Sequence, residues 1–141
     1  MIAHDYRTEV DDDLATSIVS AARTGLGDTL RSVIYFTPST FDILYLRQDL
    51  YGSADDARRA KAKLVELEQV GFAERPVRTA ISDSEGKSNI GEYEFTVRFH
   101  DDGFVARVLE DGAGVLLTTD SMDVNAFEDA AIAVRGLLRG D

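Results

Sequence analysis

Residues 86–88, a glycine, a lysine and a serine, resemble the end of a phosphate-binding P-loop. That motif requires a further glycine five positions before Gly86, so that successive backbone amides can surround the phosphates. Ile81 stands at that position, and no helical pattern follows the serine. We therefore expect no nucleotide site in this segment.

Other residue types that carry catalysis do not form a motif either. The chain has no cysteine, which removes thiolate and cysteine–zinc chemistry, and its two histidines are His4 and His100. The three aspartates at 11–13 diverge along a straight run, which favours a helix start over a cation site. Residues 101–103 and 111–112 are typical of turns. We expect no catalytic residue, no metal and no cofactor, and hence a protein that is not an enzyme.

Length, hydropathy and net charge further limit the kinds of protein that this chain can be. At 141 residues and 44% hydrophobic content, the chain is expected to be a single domain with a core of its own. It has no apolar run of about 18 residues for a membrane span, and its first thirteen residues lack a signal-peptide pattern, so a cytoplasmic protein is expected. A net charge of −11 argues against nucleic acids and anionic membranes as partners.

Aspartate predominates among the acidic residues, and arginine among the basic ones. There are 17 Asp to 9 Glu, and 12 Arg to 3 Lys. This Asp-rich and Lys-poor composition resembles that of small acidic proteins from haloarchaea, whose cytoplasm is rich in potassium salt. Concentrated salt screens the repulsion that such a surface creates, so we expect thermal stability to rise with KCl. A mesophilic acidic protein is the alternative.

Three strands are predicted between residues 93 and 119. Tyr93, Phe95, Val97 and Phe99 alternate with polar residues, which is the period of a half-buried strand. Turn residues follow, with Gly103 expected to supply a positive φ, and two further apolar runs complete an antiparallel meander. Those runs lie at residues 104–109 and 115–119.

Two further strands and three helices are predicted in the rest of the chain. The run 30–36 and its partner 41–47 form a hairpin that suits the middle of a sheet, with Phe41, Ile43 and Tyr45 on one face. Helices are expected over residues 11–27, 53–70 and 124–138, with Ser53 as the N-cap of the second and Ser121 or Asp123 as the N-cap of the third. Residues 72–80 fit a short strand or an extended link. Residues 1–10 are expected to be a flexible arm and 82–91 a flexible loop.

The central helix has an apolar stripe and a charged face. The stripe consists of Ala57, Ala60, Leu64, Leu67 and Val70. The opposite face holds the chain's one basic cluster, which we interpret either as charge balance, including an Asp55–Arg59 pair, or as a docking face for an acidic or phosphorylated partner. The cluster comprises Arg58, Arg59, Lys61 and Lys63, and Glu66 and Glu68 are predicted to lie on the same solvent face.

The predicted class is α+β, a five-stranded antiparallel sheet covered by helices in the order αββαβββα. That order, with a hairpin at 33–46, an amphipathic helix at 53–70 and a last helix at 124–138, resembles the roadblock/dynein-light-chain family, of profilin-like fold. The resemblance implies a homodimeric scaffold without catalysis that acts beside a protein partner such as a small GTPase. It further implies a dimer face from the central helix and the strand after it, with Tyr93, Phe95, Val97, Phe99, Leu64 and Leu67.

A small-molecule sensor of PAS or GAF type is the competing interpretation. Such domains also cover a five-stranded antiparallel sheet with helices, and Phe36, Phe41, Tyr45 and Phe104 are the aromatic residues that could line a pocket. One long helix stands where those domains place several short ones. An enclosed cavity of a few hundred cubic ångströms would favour the sensor, and a solid core would favour the scaffold.

Overall fold

A computed structural model describes residues 6–83 and 90–140 of the chain. Five antiparallel strands form one sheet, in the order β2-β1-β5-β4-β3. The strands are β1 (Leu30–Phe36), β2 (Phe41–Leu46), β3 (Thr96–His100), β4 (Gly103–Glu110) and β5 (Ala113–Thr119). The helices are α1 (Asp12–Leu26), α2 (Ala54–Gln69), α3 (Arg75–Asp83) and α4 (Val124–Arg139). The predicted α+β class and its αββαβββα order are confirmed, with α3 as an additional helix.

Side-chain caps set the helix starts as the sequence predicted. The carboxylate of Asp11 accepts a hydrogen bond from the backbone N–H of Leu14 at 2.7 Å, and this cap begins α1. Ser53 caps α2 and Asp123 caps α4 in the same way. No helix in the described part of the chain is long and apolar enough to cross a membrane.

Helices cover both faces of the sheet. On one face, α1 and α4 pack against each other and enclose an apolar core that includes Ile18, Phe127 and Val134. On the other face, α2 covers Phe36 and Leu116, with its own Val65 fully enclosed. We call these the α1/α4 face and the α2 face. The central strand β1 is buried along most of its length because both faces are covered.

Strand β2 is an edge strand, which corrects the expectation that this hairpin lies wholly in the middle of the sheet. Its pairing with β1 is also irregular. Ile34 lies opposite Ile43 and Val33 opposite Tyr45, so Leu44 is an extra residue, a β-bulge. The bulge reverses the alternation of faces, and Tyr45 packs into the α1/α4 face while Ile43 packs into the α2 face.

The described part of the predicted N-terminal arm is held against the sheet. Backbone amides of Arg7 and Thr8 donate to the buried carboxylate of Asp42 at 3.0 and 2.8 Å, and the Thr8 hydroxyl adds a bond of 2.7 Å. Val10 is buried in the core. The prediction of a flexible arm is therefore wrong from Tyr6 onward, because Asp42 supplies acceptors for that backbone; residues 1–5 lie outside the described residues.

Helix α3 replaces the short strand or extended link expected at residues 72–80. A 3-10 segment (Val70–Glu74) joins it to α2, and Pro76 lies in its first turn, where a missing N–H costs no helical hydrogen bond. The helix continues to Asp83, so the predicted flexible loop does not begin at Ser82. Residues 84–89 of that loop, including the P-loop-like segment, lie outside the described residues.

Gly103 has a different role from the one expected. Its φ is not positive, whereas Gly112 in the next turn has φ +74°. A Cβ at Gly103 would lie 2.7 Å from the carbonyl oxygen of Thr119. The residue is small because β4 begins in close contact with β5, and not because the turn requires a left-handed backbone.

Candidate interaction surface

Strand β3 is the second edge of the sheet. Within the described residues it pairs only with β4, so the backbone groups on its outer side are open to another strand. Phe99 is 74% exposed there and packs edge to face on Phe104, with ring centroids 5.0 Å apart. A large aromatic side chain on an open edge is the clearest sign of an interaction surface in this molecule.

The other predicted edge residues divide between the two faces. Phe95 and Val97 are half-buried and pack against the core of the α1/α4 face. Phe99 lies on the same side of β3 as Val97. The strand begins only at Thr96, so Tyr93 precedes it and points to the α2 face. Its hydroxyl lies 2.7 Å from Thr96 Oγ1, which corrects the expectation that all four apolar side chains share one face.

Helix α2 buries a different stripe from the one predicted. Its buried residues are Ala57, Lys61, Val65 and Glu68. The predicted stripe is turned toward the solvent beyond its first residue: Leu64 is half-buried, Leu67 is 46% exposed and Val70 is 52% exposed. An apolar ridge of Leu67 and Val70 thus remains uncovered along α2 within the described structure, whereas Leu64 packs against the core of the α2 face.

A buried charged cluster joins α2 to the edge of the sheet. Glu68 is fully buried, and its carboxylate accepts from Arg98 Nε at 2.7 Å and from Arg107 Nη1 at 3.3 Å. Arg107, 2% exposed, also donates to Glu74 at 2.9 Å. Burial lowers the pKa of Arg107, but Tyr93 and the two glutamates more than offset this, and the net pKa is raised.

Sequence reasoning placed Glu68 on the solvent face and therefore missed this cluster. Its partner on β4 is 39 positions away. The signal available in the sequence was an arginine between two apolar neighbours in a strand, Ala106 and Val108, at a position whose side chain must face a covered side of the sheet. Such an arginine requires a buried acceptor.

The basic cluster of α2 does not form one surface. Arg58 lies over the ring of Phe41 at 3.9 Å and donates to its carbonyl oxygen at 3.0 Å; burial lowers the pKa of this guanidinium. Lys61 is buried beneath the helix. Arg59 and Lys63 remain exposed, and Arg59 pairs with Asp56 instead of the expected Asp55. Docking of a partner by these four residues stays a prediction.

The four aromatic residues of the sensor hypothesis do not line one pocket. Phe36 and Phe41 pack on the α2 face, whereas Tyr45 and Phe104 pack on the α1/α4 face. Clefts of about 320 to 670 Å³ lie at the surface and are open to solvent. Within residues 6–83 and 90–140, no three histidine, aspartate or glutamate side chains converge on a possible metal position.

A sheet with two helices on one face and a long helix on the other defines the class: the chain has a roadblock-like fold. The gliding protein MglB of Thermus thermophilus is similar over 100% of both chains, with a TM-score of 0.56 and 11% identity. The family model of a domain of unknown function, DUF7522, matches residues 16–139, and the chain belongs to that family. No curated protein sequence matches it significantly.

Proposed function

We propose that this protein is a homodimeric interaction domain without catalytic activity, and that the dimer docks a protein partner such as a small GTPase. The observation that carries the proposal is the exposure of Phe99 on the open β3 edge. A monomer leaves this aromatic ring and a row of backbone hydrogen-bonding groups in water, and both favour association.

The proposed dimer pairs β3 with the same strand of a second copy. Antiparallel pairing about a two-fold axis satisfies the outer backbone groups of both strands and joins the two sheets. Leu67 on the exposed ridge of α2 adds apolar area to the contact. The interface residues proposed are Tyr93, Phe95, Val97, Phe99, Leu64 and Leu67.

The buried charged cluster supports this arrangement by holding the two parts of the interface together. Glu68 belongs to α2 and Arg98 to β3, and their ion pair of 2.7 Å joins the ridge to the edge strand. A preformed surface loses less conformational entropy when it associates. Of the predicted docking residues Arg58, Arg59, Lys61 and Lys63, the exposed Arg59 and Lys63 are the ones proposed to contact a partner, because Arg58 lies on Phe41 and Lys61 is buried.

Solution mass by light scattering in molar KCl tests the proposal. The variants are Phe99→Asp and the control Ile132→Asp, which places the same charge at a 57% exposed apolar position on α4, outside the proposed interface. Phe99 is preferred to Phe95 because Phe95 packs against the core, where a charge would also unfold the chain. Circular dichroism establishes that each variant is folded.

We expect a dimer for the wild type and for Ile132→Asp, and a folded monomer for Phe99→Asp. A wild-type monomer at micromolar concentration would contradict the proposal. A Phe99→Asp dimer would remove β3 from the interface and assign association to another surface.

A further inference from the structure

A cleft of about 390 Å³ lies between α2 and the hairpin formed by β3 and β4. Its lining includes Val105 on β4, Thr118 on β5, Lys61 and Leu64 on α2 and Arg31 on β1. The lining is mixed: Leu64, Phe104 and Val105 supply apolar surface, and the remaining side chains are polar or charged, including those of Lys61, Arg31 and His100. The cleft opens to solvent beside the β3–β4 turn.

Lys61 is buried in this cleft without an anionic partner. The exposed fraction of the residue is 5%, its Nζ keeps some contact with solvent, and within the described structure it forms no ion pair. The contact that it does make is with the ring of Tyr51, whose centroid lies 5.6 Å from Nζ. Burial lowers its pKa to about 8, and the nearby charge of Arg31 acts in the same direction. An ammonium held this way favours the arrival of an anion.

The second basic group of the cleft already has its partner. Arg31 donates to Asp120 at 2.8 Å, and Asp120 is shared with Arg47. The cleft thus presents one unmatched positive charge, that of Lys61. The exposed carboxylates of Asp101 and Asp102 lie at the rim.

We propose that this cleft binds a small organic carboxylate, with the carboxylate on Lys61 Nζ and an apolar body against Leu64 and Val105. A single carboxylate matches a single unmatched ammonium, and the charge-assisted hydrogen bond restores the acceptor that Lys61 lacks. A phosphate dianion is a poorer match because its second charge would be repelled by Asp101 and Asp102. The apolar wall and the cleft volume suit a chain of a few carbons.

Isothermal titration with hexanoate at pH 7 and constant ionic strength tests the proposal. Hexanamide has nearly the same shape without the charge and is the ligand control. Lys61→Met keeps the length of the side chain and removes the ammonium. Arg75→Met removes a positive charge at an exposed position on α3, outside the cleft and outside the proposed interfaces.

We expect saturable binding of hexanoate to the wild type and to Arg75→Met. Hexanoate is expected to bind Lys61→Met at least tenfold more weakly, and hexanamide to bind the wild type at least tenfold more weakly. Equal binding to wild type and Lys61→Met, or no saturable binding to the wild type, would overturn the proposal. Light scattering on the same samples adds a further outcome: a loss of dimer in Lys61→Met alone would assign the anion to a second copy of the chain and also overturn it.

Discussion

The two faces of the sheet are closed by different kinds of interaction. On the α1/α4 face, the buried charge is the carboxylate of Asp42, which lies near the sheet edge and accepts from Arg7 and Thr8; elsewhere α1 and α4 pack through small side chains such as Ala22 and Ala130. On the α2 face, Glu68, Arg107 and Lys61 are buried among the apolar residues. Ser32 and Thr118 add a buried hydroxyl pair 2.5 Å apart.

This difference indicates that the α2 face does more than close the core. Burial of a charge costs more free energy than burial of an apolar side chain of the same size, unless a partner is present. Glu68 and Arg107 have partners and fix the position of α2 against β3, whereas Lys61 has none within the described structure. Both proposed sites lie at this face or at its edge.

The largest expected effect comes from breaking the buried pair on the α2 face. Glu68→Ala leaves Arg107 buried with one acceptor fewer, and we expect a loss of about 3–5 kcal/mol in the free energy of unfolding. The exposed neighbour Glu66→Ala is the control and is expected to change it by less than about 0.5 kcal/mol. Urea denaturation provides both values.

The double variant Glu68→Leu/Arg107→Met sharpens the same comparison. It replaces the charges by apolar groups of similar size, and we expect it to recover most of the loss. Similar stabilities for Glu68→Ala and Glu66→Ala would show that the buried pair does not hold α2 in place.

The second prediction is a gain in stability, not a loss. Lys61→Met removes a largely buried ammonium without an anionic partner in the described structure. With its pKa lowered from 10.5 to about 8, and with solvent screening part of that cost, we expect the free energy of unfolding at pH 7 to rise by about 1–3 kcal/mol. Lys63→Met is expected to have little effect. Equal stability of the two variants at pH 7 would show that Lys61 is solvated or paired in solution.

The pH dependence of stability tests whether the buried ammonium of Lys61 causes this difference. Because the folded pKa of Lys61 lies below the unfolded one, the unfolded state binds more protons between about pH 8 and 10.4. Wild-type stability must therefore rise relative to Lys61→Met across that window. Denaturant melts at pH 7, 8.5 and 10 measure the difference, and a constant difference would contradict the assignment.

A smaller effect is expected where the backbone approaches the buried arginine. A Cβ at Gly71 would lie 2.6 Å from the Arg107 guanidinium and 2.8 Å from Leu109 Cδ1, so Gly71→Ala must displace them. We expect a loss of about 1–3 kcal/mol from overpacking, reduced by up to about 1 kcal/mol of helix propensity. Gly52→Ala, whose Cβ would meet Asp56 at 3.7 Å, is the control. Equal melting temperatures would show that Arg107 can move freely.

The salt dependence of stability distinguishes the contribution of the acidic surface from that of the buried charges. With a net charge of −11, we expect the melting temperature to rise from low to molar KCl, because screening reduces surface repulsion. The buried pair is screened much less, so the double variant Glu68→Leu/Arg107→Met is expected to show the same rise. A flat melting temperature would contradict adaptation to salt, and a smaller rise in the double variant would show that the salt acts on the buried pair.

The sequence by itself determined the strands, three of the helices and most of their ends. Strand and helix periods and side-chain caps are local properties, readable from neighbours within four positions, as with Asp11, Ser53 and Asp123. The role of β3 as an open edge was implied only by the resemblance to the roadblock family, and the structure places the strand at that edge.

The tertiary structure decided which side of α2 is buried. Periodicity placed Leu67 inward and left Lys61 and Glu68 outside, but Glu68 is buried because Arg107, 39 residues away, offers it a partner. The bulge at Leu44 likewise moved Tyr45 to the other face. Pairing between distant residues outweighs a local apolar pattern when a buried charge would otherwise lack a partner.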